Sequence, residues 1–372
     1  MMNKTNIFFG LLITLLFSMC TSPKQKGKGL PVFNVADALT ANLPDTFTWN
    51  SIAKNIRMIP LKTDGVIGSN PSVKYFSEDL IIVTEYHSGV FVFDGEGQEI
   101  VSFDHKGMGP KEYLYITRVN YSQKDSLILL YDGGLGKLFR FDLKGNYVDS
   151  KSLETNGTVL SIDSDGTMIA INQEGKSLIS VWDANLQLIG DYLPFDTLYN
   201  DKQKLSCWLM AGKPTGGDTF NVLPVCGDTV YTITKGGTIP LCVVDRGNYK
   251  CSSDDLNNRF KVQDNAGYLK TEDITSFSNY FMYGTETQKV LQLWNMKTEE
   301  LLAWHKGERV GPNHELVFGF RYVFPSGHEI RKWSFDYLNQ NCGVFIRQAD
   351  ECLDDVPGLT ADDNPVLIVL EF

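Results

Sequence analysis

Histidine, paired cysteines and helical periodicity are scarce in this sequence, and each scarcity removes a class of chemistry. Five histidines, His87, His105, His305, His314 and His328, are spread over 372 residues. None falls in HExxH or in a close pair, so no linear zinc-hydrolase motif is present. Seven cysteines occur without CxxC spacing, which argues against zinc ribbons and thioredoxin-type redox motifs. No GxSxG elbow, Walker loop or kinase pattern is found. The sequence therefore names no metal and no cofactor. Positive charge is also short: the net charge is −11, against the clustered Lys and Arg that phosphate backbones require, so nucleic acid is not an expected partner.

Long apolar runs are missing too, with one exception. Lys4 is followed by an uncharged apolar stretch from Ile7 to Met19, ending at Cys20 and the polar TSPKQKGKG. The stretch is too short to span a bilayer as a helix and has signal-peptide proportions. An apolar run ending at a lone cysteine resembles a bacterial lipoprotein signal. That resemblance implies a signal peptide over 1–19, acylation of Cys20, a tether over 20–44 and a membrane anchored through lipid. The basic TSPKQKGKG lacks the acidic run that often marks surface-displayed lipoproteins, so the periplasmic face of the outer membrane is favoured over the cell surface. Six cysteines then remain. An oxidising compartment permits disulfides, with Cys242/Cys251 and Cys342/Cys352 close enough to bridge locally; buried free thiols are the alternative.

What the sequence does have is turns. VFVFDGEGQEIVSF (90–103), KLFRFDLKGNYVDS (137–150), LISVWDANLQLIGDY (178–192), VYTITKGGTIPLCVV (230–244) and VLQLWNMKTEELLAW (290–304) each read as two strands around a tight turn. The turns fall at 94, 142, 183, 235 and 295, separated by 48, 41, 52 and 60 residues. A second strand signal precedes several of them, as in EDLIIVTEY, DSLILLYDGG and TVLSIDSDGTMIAIN. That period suits four-stranded blades. The fold expected is all-β, a six-bladed β-propeller of four-stranded antiparallel blades over 45–372. The sixth blade must draw strands from both ends, FTWNSIAKNIRMIPLKT and NPVLIVLEF, which closes the ring.

The segment HKGMGPKEY (105–113) places Gly107, Gly109, Pro110, Glu112 and Tyr113 between two strand signals. With IPLKTDGVIG, the hairpin FDGEGQEIVSF and the terminal DNPVLIVLEF, it resembles the six-bladed β-propeller lipoproteins abundant in some Gram-negative gut bacteria, loosely related to NHL-repeat propellers. The family pattern is roughly G-x-G-P-G-E-aromatic; Lys111 stands where the last glycine is usual. No Ser or Thr follows that Lys and the chain continues as strand, so the segment reads as an inter-blade crossing rather than a phosphate loop. The glycines would supply positive φ, Pro110 the bend, and Glu112 an acceptor for backbone N–H groups.

Fold does not give function. The expectation is a non-catalytic binding or scaffold module at the cell envelope, holding a glycan, peptide or envelope protein. The alternative is a propeller lyase or hydrolase acting on a carbohydrate or lactone-like substrate in the channel. No catalytic residue is selected. Trp208 and Trp304 are aromatic candidates for stacking on a ligand, and His314 and His328 are polar ones.

Overall fold

A computed structural model describes residues 29–41, 43–85, 89–155, 157–172, 175–195, 220–224, 227–250, 271–285, 289–310 and 315–372. Trp208, His314, Cys20 and Cys251 lie outside these.

The recurring Asp of the turns has a direct physical role. Asp94 Oδ1 accepts the backbone N–H groups of Glu96 and Gln98 at 3.0 and 2.9 Å. Asp142 does the same for Lys144 and Asn146, and Asp183 for Asn185 and Gln187. Asn295 serves Lys297 and Thr298. One short side chain thus satisfies two N–H groups that the turn takes out of the ladder. The chain then needs one left-handed residue before the strand resumes. Gly97 and Gly145 supply it at φ 81° and 76°, whereas Leu186 and Glu299 adopt it against their Cβ.

These hairpins build six four-stranded blades. Blade I holds Ser72–Phe76, Leu80–Glu85, Gly89–Asp94 and Glu99–Phe103. Blade II runs from Ile116–Ser122 to Tyr147–Ser152, and blade III from Thr158–Ile162 to Leu188–Pro194. Blade V runs from Thr271–Phe277 to Leu301–Lys306. Blade VI contains Tyr337–Leu338, Cys342–Arg347 and Val366–Glu371, and is completed by Asn55–Pro60 from the other end of the chain. The expected closure by both termini is therefore present. A small hairpin, Phe320–Val323 with Glu329–Lys332, precedes blade VI.

Blade IV departs from expectation. Its own strands are Phe220–Val222, Thr229–Thr234 and Gly237–Asp245, so the hairpin at 235 joins its second and third strands. The fourth is Val32–Asn34, paired in parallel with Val243–Asp245. The propeller body consequently begins at Pro31, and the edge strand Val32–Asn34, expected to be tether, is part of it. From that edge the chain crosses blade V: the buried Gln292 side chain donates to Val35 O at 3.0 Å, and Trp49 is wholly buried under the Phe320–Lys332 hairpin.

The core is divided into six clusters, one at each junction between neighbouring blades. Alternate residues of a central strand serve opposite junctions. In blade I, Ile81, Val83, Phe91 and Phe93 pack toward blade VI, while Leu80, Ile82, Val90 and Val92 pack toward blade II. Both faces are dry, which is why LIIV and LILLY read as unbroken apolar runs instead of the one-sided alternation expected of hairpins. Each such side chain contributes about 1.5–3 kcal/mol by leaving water.

The cysteines also belong to this core. Cys342 and Cys352 are free and buried in different clusters, so the anticipated bridge between them is not formed. Burial pushes the two thiols up to about 12 and about 11. Cys242 is likewise a free buried thiol in the blade IV–V junction.

Candidate functional site

The first strands of the blades surround the axis, and they carry polar side chains between their buried apolar ones. Among them stand Ser72 and Lys74 of blade I, Thr117, Arg118 and Asn120 of blade II, and Ser161 of blade III. These residues, with Asp336 and Tyr337 of blade VI, enclose a channel cavity of about 140 Å³. A second pocket of about 170 Å³ lies where the first strands begin. It shares Ser72 and Lys74 with the cavity and adds Asn70, Asp104, Lys106, Tyr113 and Tyr115. Toward the other face a pocket of about 680 Å³ shares Asn120 and Tyr337 and is bordered by Glu78, Gln123, Ser164, Asn339 and Asn341.

Much of the polar lining is already committed. Asn120 donates to Ile162 O, and Arg118 donates from Nε to Leu160 O at 2.6 Å and from one terminal nitrogen to Thr117 O at 2.7 Å. Asp336 accepts the Ile346 N–H at 3.0 Å and faces Lys332 Nζ at 3.8 Å. Lys74 differs. Among the described residues it has no hydrogen bond and no ion pair. Burial, then the nearby Arg118 guanidinium, pull its ammonium below the usual lysine value, while Asp336 pulls the other way. Arg118 is also pulled down by burial.

HKGMGPKEY forms one wall of the mouth. Gly107 N–H bonds to Tyr113 O and Tyr113 N–H to His105 O, closing a compact loop. The Tyr113 hydroxyl donates to Asp104 Oδ1 at 3.2 Å and accepts from the His105 N–H, and burial raises its pKa. Glu112 Oε2 accepts the Gly109 N–H at 2.7 Å. The glycines are there for a different reason from the one expected. Neither Gly107 nor Gly109 has positive φ. Instead, a Cβ on Gly107 would stand 2.0 Å from Glu112 Oε2, and one on Gly109 3.0 Å from the same carboxyl. Both are bare so that this carboxylate can lie against the backbone.

A residue that sequence reading passed over holds the next segment. Asp132, wholly buried, accepts four backbone N–H groups: Leu114 and Tyr115 on Oδ2 at 2.6 and 3.0 Å, Gly134 and Leu135 on Oδ1 at 2.8 and 2.9 Å. It sits in YDGG, which reads as an ordinary turn. It fixes Tyr115, half exposed, at the pocket entrance.

The remaining candidates are elsewhere. Trp304, on the outer strand of blade V, is half-buried with an unpaired indole N–H. His328 is exposed at the turn of the Phe320–Lys332 hairpin. Neither lines the channel cavity or the pockets at its two ends. Among the described residues no group of three or more His, Cys, Asp or Glu is gathered as a metal site would need.

A family described as a domain of unknown function, DUF4934, matches residues 30–371. The chain belongs to the DUF4934 family. The matched span begins within one residue of Pro31, where the folded body starts, so this DUF4934 domain includes the parallel edge strand of blade IV. No curated protein is matched in sequence. A crystal structure of a protein provisionally described as exported, from Bacteroides fragilis NCTC 9343, is similar with a TM-score of 0.60 and 12% identity, over 92% of this chain and 99% of that one. A member of the duf4221 family from Bacteroides vulgatus ATCC 8482 is similar at a TM-score of 0.45 and 11% identity, over 86% and 97%. A streptogramin B lyase structure follows at 0.43 and 11%, over 88% and 100%. At 12% identity the first of these likenesses speaks to the fold alone.

Proposed function

We propose that this protein is an exported, lipid-anchored propeller that binds a ligand without chemically altering it, on the periplasmic face of the outer membrane. The observation that carries the binding half is the chain of polar spaces along the axis, from the Tyr115 mouth through the Lys74–Arg118 cavity. A ring whose blade junctions are packed with apolar side chains and whose axis is lined by polar ones offers preorganised recognition. A glycan, a peptide or an envelope protein segment is the class of partner that such a mouth, with Tyr115 and Leu114 exposed beside it, can receive.

The export half rests on sequence: the apolar Ile7–Met19 run, Cys20, and the basic segment after it. A Bacteroides relative of the same fold described as exported is in keeping with it. Substituting Cys20→Ala is expected to move the protein from the membrane pellet to the soluble fraction, and proteinase K on intact cells is expected to spare the native protein. Digestion of the native protein would place it on the surface instead. A soluble native protein would remove the anchor.

Ligand binding is tested separately on the purified protein, with glycan and peptide arrays followed by calorimetry. At least one saturable ligand is expected, recovered chemically unchanged after prolonged incubation. Conversion of a bound glycan or lactone into product would overturn the non-catalytic reading, and inductively coupled plasma mass spectrometry would then show whether a metal is involved.

A further inference from the structure

We propose that the channel cavity between Lys74 and Arg118 is a binding site for one carboxylate group of a small ligand, whose remainder extends past Ser72 into the Tyr115 pocket. The inference deepens the binding reading above and rests on it.

Lys74 is the starting point. Its side chain is half-buried, and its ammonium has no hydrogen-bond partner among the described residues, so an anion in the cavity would supply one. The fold holds it there on a strand flanked by Val73 and Tyr75, both buried, so its backbone position is fixed by the core. It lines the cavity and the mouth pocket alike, and so stands at the junction of the two. Its neighbour Arg118 is anchored through Nε and one terminal nitrogen to Leu160 and Thr117 carbonyls, while the other terminal nitrogen has no partner among the described residues. An anion placed between them would meet donors from a fixed guanidinium and from the lysine.

Charge and volume select the anion. Two cations, Lys74 and Arg118, line the cavity, and its one lining carboxylate, Asp336, is already faced by Lys332 Nζ at 3.8 Å, so the cavity is net positive and draws an anion. A cavity of about 140 Å³ admits a carboxylate with a few attached atoms and not a whole sugar or dipeptide. The rest of the ligand must use the mouth, where Asp104 and Glu85 oppose a second negative charge and Tyr115 offers a ring face. A sugar acid and the terminus of a peptide both fit this description.

The test is isothermal titration calorimetry at fixed ionic strength with sodium glucuronate, sodium N-acetylglycine and sodium phosphate, chloride being the balancing anion. One equivalent of glucuronate or N-acetylglycine is expected to bind saturably, and whichever binds more tightly identifies the source as sugar acid or peptide terminus. Lys74→Met is expected to weaken that binding by about tenfold or more, as loss of a charge-assisted contact does. Lys144→Met, on an exposed turn of blade II outside both the cavity and the mouth pocket, is expected to change it less than about threefold. If Lys74→Met does not fold, Lys74→Gln takes its place. Absence of saturable binding by both carboxylates, equal binding by the Lys74 variant, or tighter binding of phosphate would each overturn the assignment. An array ligand whose affinity is indifferent to Lys74 would leave the binding module standing and remove only the channel site.

Discussion

Trp49→Ala, in the arm of residues 43–54 that leads into the closing strand Asn55–Pro60, is expected to destabilise the propeller by about 3–5 kcal/mol. The indole is wholly buried, with ring centroids 4.7 Å from Phe335, 5.4 Å from Phe320, 5.9 Å from Phe47 and 6.4 Å from Phe277. Its N–H donates to Lys332 O at 3.2 Å. Those contacts reach blade V through Phe277, the preceding hairpin through Phe320 and blade VI through Phe335. A cavity there loosens the junction at which the ring is closed. Folding entropy of roughly 2.1 cal/mol/K per residue over the body puts the midpoint about 4–7 °C lower. Trp49→Phe should recover part of the loss, since it refills volume but leaves the Lys332 carbonyl without its donor. Scanning calorimetry of the two variants checks this. A shift of under 1 °C for the alanine variant would mean that the arm is not needed for closure.

That arm illustrates what the sequence disclosed and what it withheld. Four of the five hairpins were legible because an Asp or Asn at the turn and a left-handed residue after it are local requirements, written within a few positions of each other, and the fifth because Gly236 and Gly237 stand at its turn. Closure by both ends was legible because the five hairpins leave a sixth blade to be drawn from strand signals at the two ends, IRMIP and VLIVLE. The edge strand Val32–Asn34 was not. It has three residues, pairs in parallel, and finds its partner more than two hundred positions away, so nothing near it in sequence betrays it. The glycines of HKGMGPKEY were noticed, but their reason lies in a carboxylate folding back, which composition cannot distinguish from a need for positive φ.

The candidate site was less visible still. Lys74 in SVKYF and Arg118 in ITRVN are isolated cations in strand signals, the kind that usually point to solvent. They meet because the blades turn their first strands to a common axis, a property of the ring and not of either segment. Trp304 and His328 stood out by residue type alone, and the fold sends them away from that axis.

Asp132→Ala is expected to be nearly as damaging as the loss of Trp49, by a different mechanism. Four backbone N–H groups point at one buried carboxylate, two from the segment entering blade II and two from the turn between its second and third strands. Alanine leaves them without an acceptor in a site the surrounding core keeps closed. Each unpaired group costs about 1 kcal/mol or more, of which some is regained by water at the Gly134–Leu135 side, giving about 2–4 kcal/mol in total. Asp132→Asn should recover part of this: the amide oxygen still accepts, while its NH₂ meets donors that need an acceptor. Guanidinium unfolding separates the effects, with a lower midpoint and an unchanged slope for both variants. The same substitution releases Leu114 and Tyr115, so the alanine variant should also bind the channel ligand more weakly at temperatures where it remains folded. A variant that keeps full stability would show that those four groups have other partners. A variant that loses stability but keeps native affinity would show that Tyr115 is not held at the mouth by this carboxylate.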